Sequence, residues 1–219
     1  AQPVTPCALE LMDRGAIDMI RHYQDLGLSD EVSALLMIEV DGSESEIAAS
    51  AEAIRAACAN EGLIRAELAP DLKALWAARK ALSPLLRDIA PKKINEDVAV
   101  PVSRLPELLQ GLAELSAKYG VANANFGHAG NGNMHVNLLV NPDDADELQR
   151  AEACLDEIFT LVLRLDGTLS GEHGVGREKR PFVAREIDPV TLQLMRDIRQ
   201  VFDPNNILNP GKMFPELKT

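Results

Sequence analysis

Hydrophobic and polar residues follow two periods along this chain, and the change from one period to the other predicts strands interleaved with helices. An apolar, β-branched run at residues 35–40 predicts a strand, and a serine-capped helix should follow it to about Asn60. Residues 63–68 predict a second strand. A helix over residues 71–83 should then kink or stop at Pro84, because proline cannot donate a backbone hydrogen bond.

The second half of the chain continues this alternation. Short apolar runs predict strands, and apolar residues three and four positions apart predict helices. The predicted elements are a strand at 98–101, a helix at 105–119, a hairpin at 122–140, a helix at 142–165 and a helix at 189–201. This order predicts an α+β fold with a mixed, largely antiparallel sheet that is covered by helices on one face.

The hairpin contains the most informative motif, His128-Ala-Gly-Asn131-Gly132-Asn-Met-His135. Asn-Gly favours a two-residue type I′ turn, which would place His128 directly opposite His135. Directly opposed Cβ atoms are about 4.5–5.5 Å apart, so the two imidazoles could converge on one metal ion. The alternative interpretation is a structural polar cluster with the neighbouring asparagines.

A second glycine-rich segment, Ser170-Gly-Glu172-His173-Gly-Val-Gly176, offers a third ligand. Two histidines and the Glu172 carboxylate would leave coordination positions open for water or substrate, as catalytic sites do. The competing interpretation is a turn whose carboxylate binds its neighbouring amides. His173 cannot easily point the same way as Glu172. It is therefore expected to stand apart as a general base, or to donate a hydrogen bond to a ligand.

Composition narrows the function classes. The 219 residues are 46% hydrophobic, which suffices for one good core or for two small cores that share a sheet. The net charge of −12 opposes nucleic acid as a partner. Three widely spaced cysteines predict free thiols, and no apolar run reaches the length of a transmembrane segment, so a cytoplasmic location is expected. The chain contains neither G-x-G-x-x-G nor Walker A, and its opening, Ala-Gln-Pro, suggests a fragment of a longer protein.

Three motifs, in this order, resemble the C-terminal domain of FAD-linked oxidases. They are His128-x6-His135-x-Asn137, Ser170-Gly-Glu-His-Gly-Val-Gly176 and Asp203-Pro-x3-Leu-Asn209-Pro-Gly-Lys212. The family comprises the D-lactate, glycolate and D-2-hydroxyglutarate dehydrogenases of the vanillyl-alcohol-oxidase type. The resemblance covers nearly the whole chain and implies that residues 1–219 form one domain with a ferredoxin-like sheet, which closes over the isoalloxazine and forms the substrate pocket. It also implies that FAD is held mainly by a separate N-terminal FAD-binding domain, which this chain lacks.

The resemblance further implies a role for individual residues. A divalent metal, zinc first with manganese or iron as alternatives, would be held by His128, His135 and Glu172, and His173 would be the catalytic base. The other implied ligand contacts are Arg79 and Ser83 on the substrate carboxylate, Asn137 in the substrate site, and Asn209, Gly211 and Lys212 near the flavin. Arg79 and Ser83 share one face of their predicted helix, but this spacing alone is weak evidence. Some relatives place a lysine near the position of Asn95, and its absence here disfavours a dicarboxylic substrate.

These roles predict an oxidoreductase that converts a small D-2-hydroxy acid, D-lactate first, into the 2-oxo acid, with hydride passing to FAD. Glycolate and D-2-hydroxyglutarate are the alternative substrates, and the sequence does not identify the electron acceptor. From other classes, a zinc-dependent hydrolase would use the same two histidines and carboxylate without flavin, and a non-catalytic docking domain would need none of them. The chain alone is expected to be inactive and nearly flavin-free, and a homodimer stays open as its assembly state.

Overall fold

A five-stranded antiparallel sheet organises the fold. The protein is described from a computed structural model that defines residues 4–21, 27–69 and 71–215, so His22 lies outside the described residues. The strands are β1 (Ala8–Asp13), β2 (Ala34–Glu39), β3 (Lys92–Ala99), β4 (Ala122–His128) and β5 (Asn133–Val140). Their order across the sheet is β2-β1-β4-β5-β3, and all four ladders are antiparallel. The predicted α+β class is therefore confirmed.

The helices connect these strands and mostly begin where the sequence supplies a cap. They are α1 (Arg14–Arg21), α2 (Glu44–Cys58), α3 (Leu72–Ile89), α4 (Leu105–Tyr119), α5 (Ala145–Arg164), α6 (Val183–Glu186) and α7 (Pro189–Phe202). At the start of α3, α5 and α7 an aspartate accepts hydrogen bonds from amides of the first turn, and Ser43 with Glu46 forms a capping box for α2. None of the helices that the structure describes combines the length and the hydropathy needed to cross a lipid bilayer.

Helices pack on both faces of the sheet, whereas the sequence predicted them on one face only. Even-numbered residues of β5, such as Val136, join a core with α4 and α5. On the opposite face Phe126 and Leu139 join a second core with α1 and α3. Side chains of a strand alternate between the faces, so each apolar run of this sheet can serve both cores. The face that carries α1 and α3 is called the site face below, because the candidate active site lies on it.

One predicted strand is absent, and one predicted helix extends further than expected. Residues 63–68 form no strand, since none of their backbone groups joins a ladder. α3 continues through Pro84 to Ile89. The buried Leu82 and Leu86 on either side of Pro84 explain this difference. Burying two leucines stabilises the fold by about 3–6 kcal/mol, which matches or exceeds the roughly 3 kcal/mol that proline costs in a helix.

The chain also contains elements that the sequence did not predict. β1 and α1 lie in the first 21 residues, where no element was expected. β3 begins at Lys92, six residues before the predicted strand at 98–101. β1 pairs with both β2 and β4 and is therefore a central strand of the sheet.

The β4–β5 hairpin has a different register from the predicted one. His128 is opposite Asn133 and Phe126 is opposite His135, so residues 129–132 form a four-residue connection rather than a two-residue turn. Gly132 has φ +77, and a Cβ atom there would lie 1.9 Å from the Val100 carbonyl oxygen. Gly132 is therefore used for a left-handed backbone and a close approach to the neighbouring segment. The register differs by two residues, so both imidazoles still point to the same face.

Candidate active site

Two histidines project from the hairpin on the site face. His128 ends β4 and His135 lies in β5, and their ring centroids are 5.5 Å apart with the rings nearly perpendicular. The ring of Phe126 packs against His135 at 5.8 Å. Burial lowers the pKa of His135, and the nearby Glu172 carboxylate opposes this shift only in part. His135 is therefore neutral at neutral pH, which leaves one ring nitrogen able to bind a metal.

Glu172 brings a carboxylate oxygen to the same place. Its Oε1 atom lies 3.4 Å from His135 Nε2, 3.8 Å from His128 Nε2 and 3.7 Å from His173 Nε2. These separations exceed a normal hydrogen bond. They are close to the distance of about 3.4 Å between two ligand atoms on one tetrahedral ion, since each ligand atom lies about 2.1 Å from the metal. Imidazole nitrogens and one carboxylate are also the donor set that a zinc-type divalent ion prefers.

His173 does not stand apart from this cluster, and this part of the sequence prediction is wrong. Its ring stacks on His135 with the centroids 5.2 Å apart and an interplanar angle of 18°. Adjacent side chains point in opposite directions only in an extended strand, and residues 171–173 form a bend instead. Glu172 and His173 are both about half exposed, so a ligand can reach them.

Asp97 lies beneath this cluster and is fully buried. Its carboxylate accepts hydrogen bonds from the amides of Glu172 at 2.9 Å and His173 at 2.8 Å. Burial alone raises the pKa of Asp97, but these donors together with the buried Lys179 outweigh it, so the pKa lies below its ordinary value. Ligand atoms of Asp97, His135, Glu172 and His173 all lie within 4.8 Å of one another. Asp97 is thus part of the site, although the sequence analysis gave it no role.

Glu10 is a second site residue that the sequence analysis missed. It lies in β1 and is 4% exposed, and its Oε1 atom lies 2.5 Å from His128 Nδ1. A carboxylate can only accept, so Nδ1 must donate and the Nε2 atom of His128 keeps its lone pair for a metal. The sequence contained one feature that could have identified this residue: Glu10 is a single carboxylate among the apolar residues Leu9, Leu11 and Met12.

Arg79 reaches the site from α3 through the same carboxylate. Its Nη2 and Nε atoms lie 2.8 Å and 2.9 Å from Glu10 Oε2. The guanidinium lies 4.5 Å from the centroid of Phe126, which is a favourable cation–π distance. Glu10 therefore links the predicted substrate ligand Arg79 to the predicted metal ligand His128. The arginine is buried rather than solvated, in contrast to what its helical spacing alone would suggest.

The other predicted substrate residues lie further along the site face. Asn137 is fully buried, donates to the Ala124 and His135 carbonyls, and accepts from Asn95 at 2.5 Å. Ser83 accepts from Lys93 Nζ at 2.9 Å. Burial lowers the pKa of Lys93, and the neighbouring Arg87 lowers it further. The structure thus brings Asn137 next to the histidines but places Ser83 beside Lys93, one helical turn beyond Arg79.

The three residues that were predicted near the flavin lie in the turns that follow α7. They are exposed, and they are Asn209, Gly211 and Lys212. The Gly211 carbonyl accepts from Arg180 Nη1 at 2.9 Å, and the Met213 amide donates to the Gly176 carbonyl at 2.8 Å. This tail therefore lies against the segment that follows His173.

Comparison with known proteins agrees with the motifs. The family described as "FAD linked oxidases, C-terminal domain" matches residues 1–213. The glycolate oxidase subunit GlcD of Bacillus subtilis is 34% identical over 217 residues, which are 98% of this chain and 46% of that protein. A D-2-hydroxyglutarate dehydrogenase of Stutzerimonas stutzeri is 32% identical over 81% of this chain and 40% of its own length. A probable mitochondrial D-lactate dehydrogenase of Danio rerio is 29% identical over 96% of this chain and 43% of its own length.

The fold comparison points the same way. The crystal structure of p-cresol methylhydroxylase with substrate bound superposes with a TM-score of 0.67 at 14% identity, over 94% of this chain and 46% of that one. This likeness concerns the fold alone. The chain spans less than half the length of the relatives it matches. With the family match over residues 1–213, it follows that this chain belongs to the C-terminal domains of FAD-linked oxidases.

Proposed function

We propose that this chain forms the substrate- and metal-binding part of a flavin-dependent dehydrogenase that oxidises a small D-2-hydroxy acid to the 2-oxo acid. The observation that carries the proposal is the convergence of His128, His135 and His173 on one oxygen of Glu172, with the buried Arg79 connected to the same cluster. Together these residues would provide a metal site, a base for the substrate hydroxyl and a guanidinium for the substrate carboxylate, all within one polar region of the site face. The names of the relatives support the same reaction class.

A divalent metal, zinc first and manganese or iron as alternatives, would be held by His128, His135 and Glu172. The separations of 3.4 Å and 3.8 Å between the imidazole nitrogens and Glu172 Oε1 suit such an ion. When bound there, the ion polarises the hydroxyl and carboxylate oxygens of a 2-hydroxy acid and makes the hydroxyl more acidic. Glu10 keeps His128 in the tautomer that this binding requires.

His173 is the proposed base and Arg79 the proposed carboxylate ligand. His173 is half exposed beside the cluster, so its Nε2 atom can accept the proton of the substrate hydroxyl. The Oε2 atom of Glu10 contacts the Nε and Nη2 atoms of Arg79. The remaining N–H groups of the guanidinium can bind one carboxylate and fix the orientation of the substrate.

The choice of substrate rests on the polar contacts that continue along the site face from His135. Asn95 and Asn137 bind each other, and Lys93 is engaged by Ser83. A second carboxylate would have to displace these contacts, which favours D-lactate or glycolate over D-2-hydroxyglutarate. D-lactate is our first choice and glycolate the alternative.

FAD, when bound, supplies the hydride acceptor, and we propose that a domain outside this chain holds most of it. The part of this chain nearest to it would be the exposed tail with Asn209, Gly211 and Lys212, which lies against the segment after His173. The three free cysteines support a reducing compartment, and the cytoplasm is the proposed location.

Metal analysis tests the proposal first. The purified chain should bind about one Zn²⁺ per molecule, and His128→Ala and His135→Ala should each abolish binding. His22→Ala removes the histidine that is not among the proposed site residues and should leave binding intact. His173→Gln should also keep the metal, because its ring is proposed to be a base and not a ligand.

Activity provides the second test. With the FAD-binding domain restored, the protein should oxidise D-lactate or glycolate, and His173→Gln should abolish turnover without loss of metal. Zn²⁺ binding that survives both hairpin substitutions would refute the metal site. Hydrolysis of esters or amides by the flavin-free chain would instead support the zinc hydrolase.

A further inference from the structure

We propose that Asp97 is the positioning residue that sets both Glu172 and His173, and that it is not itself a metal ligand; this inference rests on the proposed function. Asp97 belongs to the segment Asp97-Val-Ala-Val-Pro101, and its side chain is fully buried. Its carboxylate accepts from the Ser170 hydroxyl at 3.2 Å and from the amides of Glu172 and His173 at 2.9 Å and 2.8 Å. One side chain therefore holds three polar groups of the bend, which belong to Ser170, Glu172 and His173.

The backbone shows how this anchor is built. Thr168 and Ala99 form a pair of hydrogen bonds, of 2.8 Å and 3.1 Å, on the free edge of β3. The Gly171 amide then donates to the Asp97 carbonyl at 3.3 Å. Beyond this point the segment leaves the edge of the sheet, and the Asp97 carboxylate takes over as acceptor for the next two amides. Hydrogen bonds thus hold the loop against β3 as far as Glu172 and His173, whose side chains lie beside His135.

The contacts of Asp97 favour an anchor over a ligand. Its Oδ2 atom accepts all three of these hydrogen bonds, and Oδ1 lies 3.1 Å from the Glu172 amide. A metal at Oδ2 would have to replace these backbone donors, and buried amides without an acceptor destabilise the fold. Glu172, by contrast, is half exposed and presents Oε1 to the imidazoles.

Gly171 permits the close approach that the anchor needs. A Cβ atom at this position would lie 2.6 Å from Asn133 Oδ1 and 2.7 Å from Asp97 Oδ1. Real Cβ atoms do not come so close to oxygen, so a larger residue must displace either the loop or the Asn133 and Asp97 side chains. Gly171 therefore provides a second way to disturb the anchor without altering a proposed ligand.

The first test uses the metal-free 219-residue chain and hydrogen exchange of individual amides, followed by NMR. Asp97→Ala should accelerate exchange of the Glu172 and His173 amides by about tenfold or more, because both lose a charged acceptor. Asp97→Asn keeps a neutral acceptor and should give a smaller acceleration. Asp13→Ala removes a carboxylate that accepts from the amides of Ala16 and Asn125 instead, and it should leave these two amides unchanged.

The second test is Zn²⁺ titration of the same variants. Loss of a residue that orients a ligand typically weakens metal affinity by about 10–100-fold, and we expect this for Asp97→Ala with a smaller loss for Asp97→Asn. A ligand role would instead make both substitutions equally damaging. Unchanged amide exchange in Asp97→Ala, or complete loss of Zn²⁺ with normal exchange, would overturn the anchor.

The two proposals can fail separately. If the wild-type chain binds no Zn²⁺, the proposed metal site is refuted, while the exchange experiment still decides whether Asp97 holds the loop. If Asp97→Ala does not fold, Asp97→Asn and Gly171→Ala decide instead. Both should accelerate exchange of the Glu172 and His173 amides, and normal exchange in both would overturn the proposal.

Discussion

Replacing Glu10 by glutamine should damage both the stability of the protein and its affinity for a metal. Glu10 and Arg79 have side-chain exposures of only 6% and 10%, and their atoms approach to 2.8 Å. Removing one partner of a buried ion pair typically destabilises a protein by about 3–5 kcal/mol, because the other charge stays buried without compensation. The free energy of unfolding of a native protein is typically about 5–15 kcal/mol, so a loss of this size is a large share of the total stability.

The same substitution should change the tautomer of His128. The glutamine oxygen will face the Arg79 cation, which leaves the amide NH2 group opposite His128 Nδ1. Nδ1 must then accept, so the ring proton moves to Nε2, the atom that faces Glu172. We expect Zn²⁺ affinity to fall by about 10–100-fold, as for other groups that orient a metal-bound histidine.

Urea unfolding and Zn²⁺ titration measure the two effects. Glu39→Gln is the matched control, because Glu39 lies on the same face one strand away and its carboxylate binds Trp76 instead. Combining Glu10→Gln with Arg79→Met should recover part of the lost stability, since the unpaired cation is then removed. If Glu10→Gln unfolds at the same urea concentration as wild type and binds Zn²⁺ equally well, the role given to Glu10 is wrong.

Three further substitutions or modifications test other parts of the structure. Gly132→Ala should destabilise the chain by at least about 1–2 kcal/mol, because φ is +77 and the new Cβ would collide with the Val100 carbonyl. Urea unfolding measures this loss. Gly174→Ala is the control and should destabilise the chain less, because Gly174 has a similar φ but open space around it. Burial alone raises the pKa of Asp203, but the amides of Ile207 and Leu208 and the Arg199 guanidinium outweigh it, so the folded-state pKa is lowered. Its stabilising effect is therefore present above its unfolded pKa of about 3.9 and is lost as the pH falls through the lower folded value, so the stability difference between wild type and Asp203→Asn should shrink below about pH 4. Burial raises the pKa of Cys154 to about 11, so a thiol reagent should label Cys7 in the native protein and Cys154 only after unfolding.

Local sequence patterns predicted the elements that depend on local physics. The capped helix after the strand at 35–40, the amphipathic helices α4 and α5, and the hairpin all carry their signals in neighbouring residues. The proposed metal ligands were also recognisable, because the two histidines on either side of the hairpin turn lie on one face in both the predicted and the observed register. These signals were sufficient to find His128, His135 and Glu172 as neighbours.

Contacts between distant segments could not be predicted in the same way. Glu10 is 118 residues from His128 and 69 from Arg79, so no local pattern announces their contact. The hairpin connection contains a close contact between Gly132 and Val100, which follows a different strand, and no local pattern predicts this contact. Pro84 was interpreted as a kink or a helix end because its backbone effect is local, whereas the buried leucines that outweigh it are visible only in the folded structure.

The β4–β5 ladder also shows which part of the hairpin can vary in evolution without loss of the site. Residues that are opposed in an antiparallel ladder share a face whatever the length of the loop that joins the strands, so the common face of His128 and His135 depends on the pairing of Phe126 with His135 and not on the number of connecting residues. Homologous sequences can therefore differ in loop length and still keep both imidazoles on one face, whereas a slip of the ladder by one residue would send one imidazole into the opposite core. A loop that is grafted onto this hairpin has to preserve that pairing.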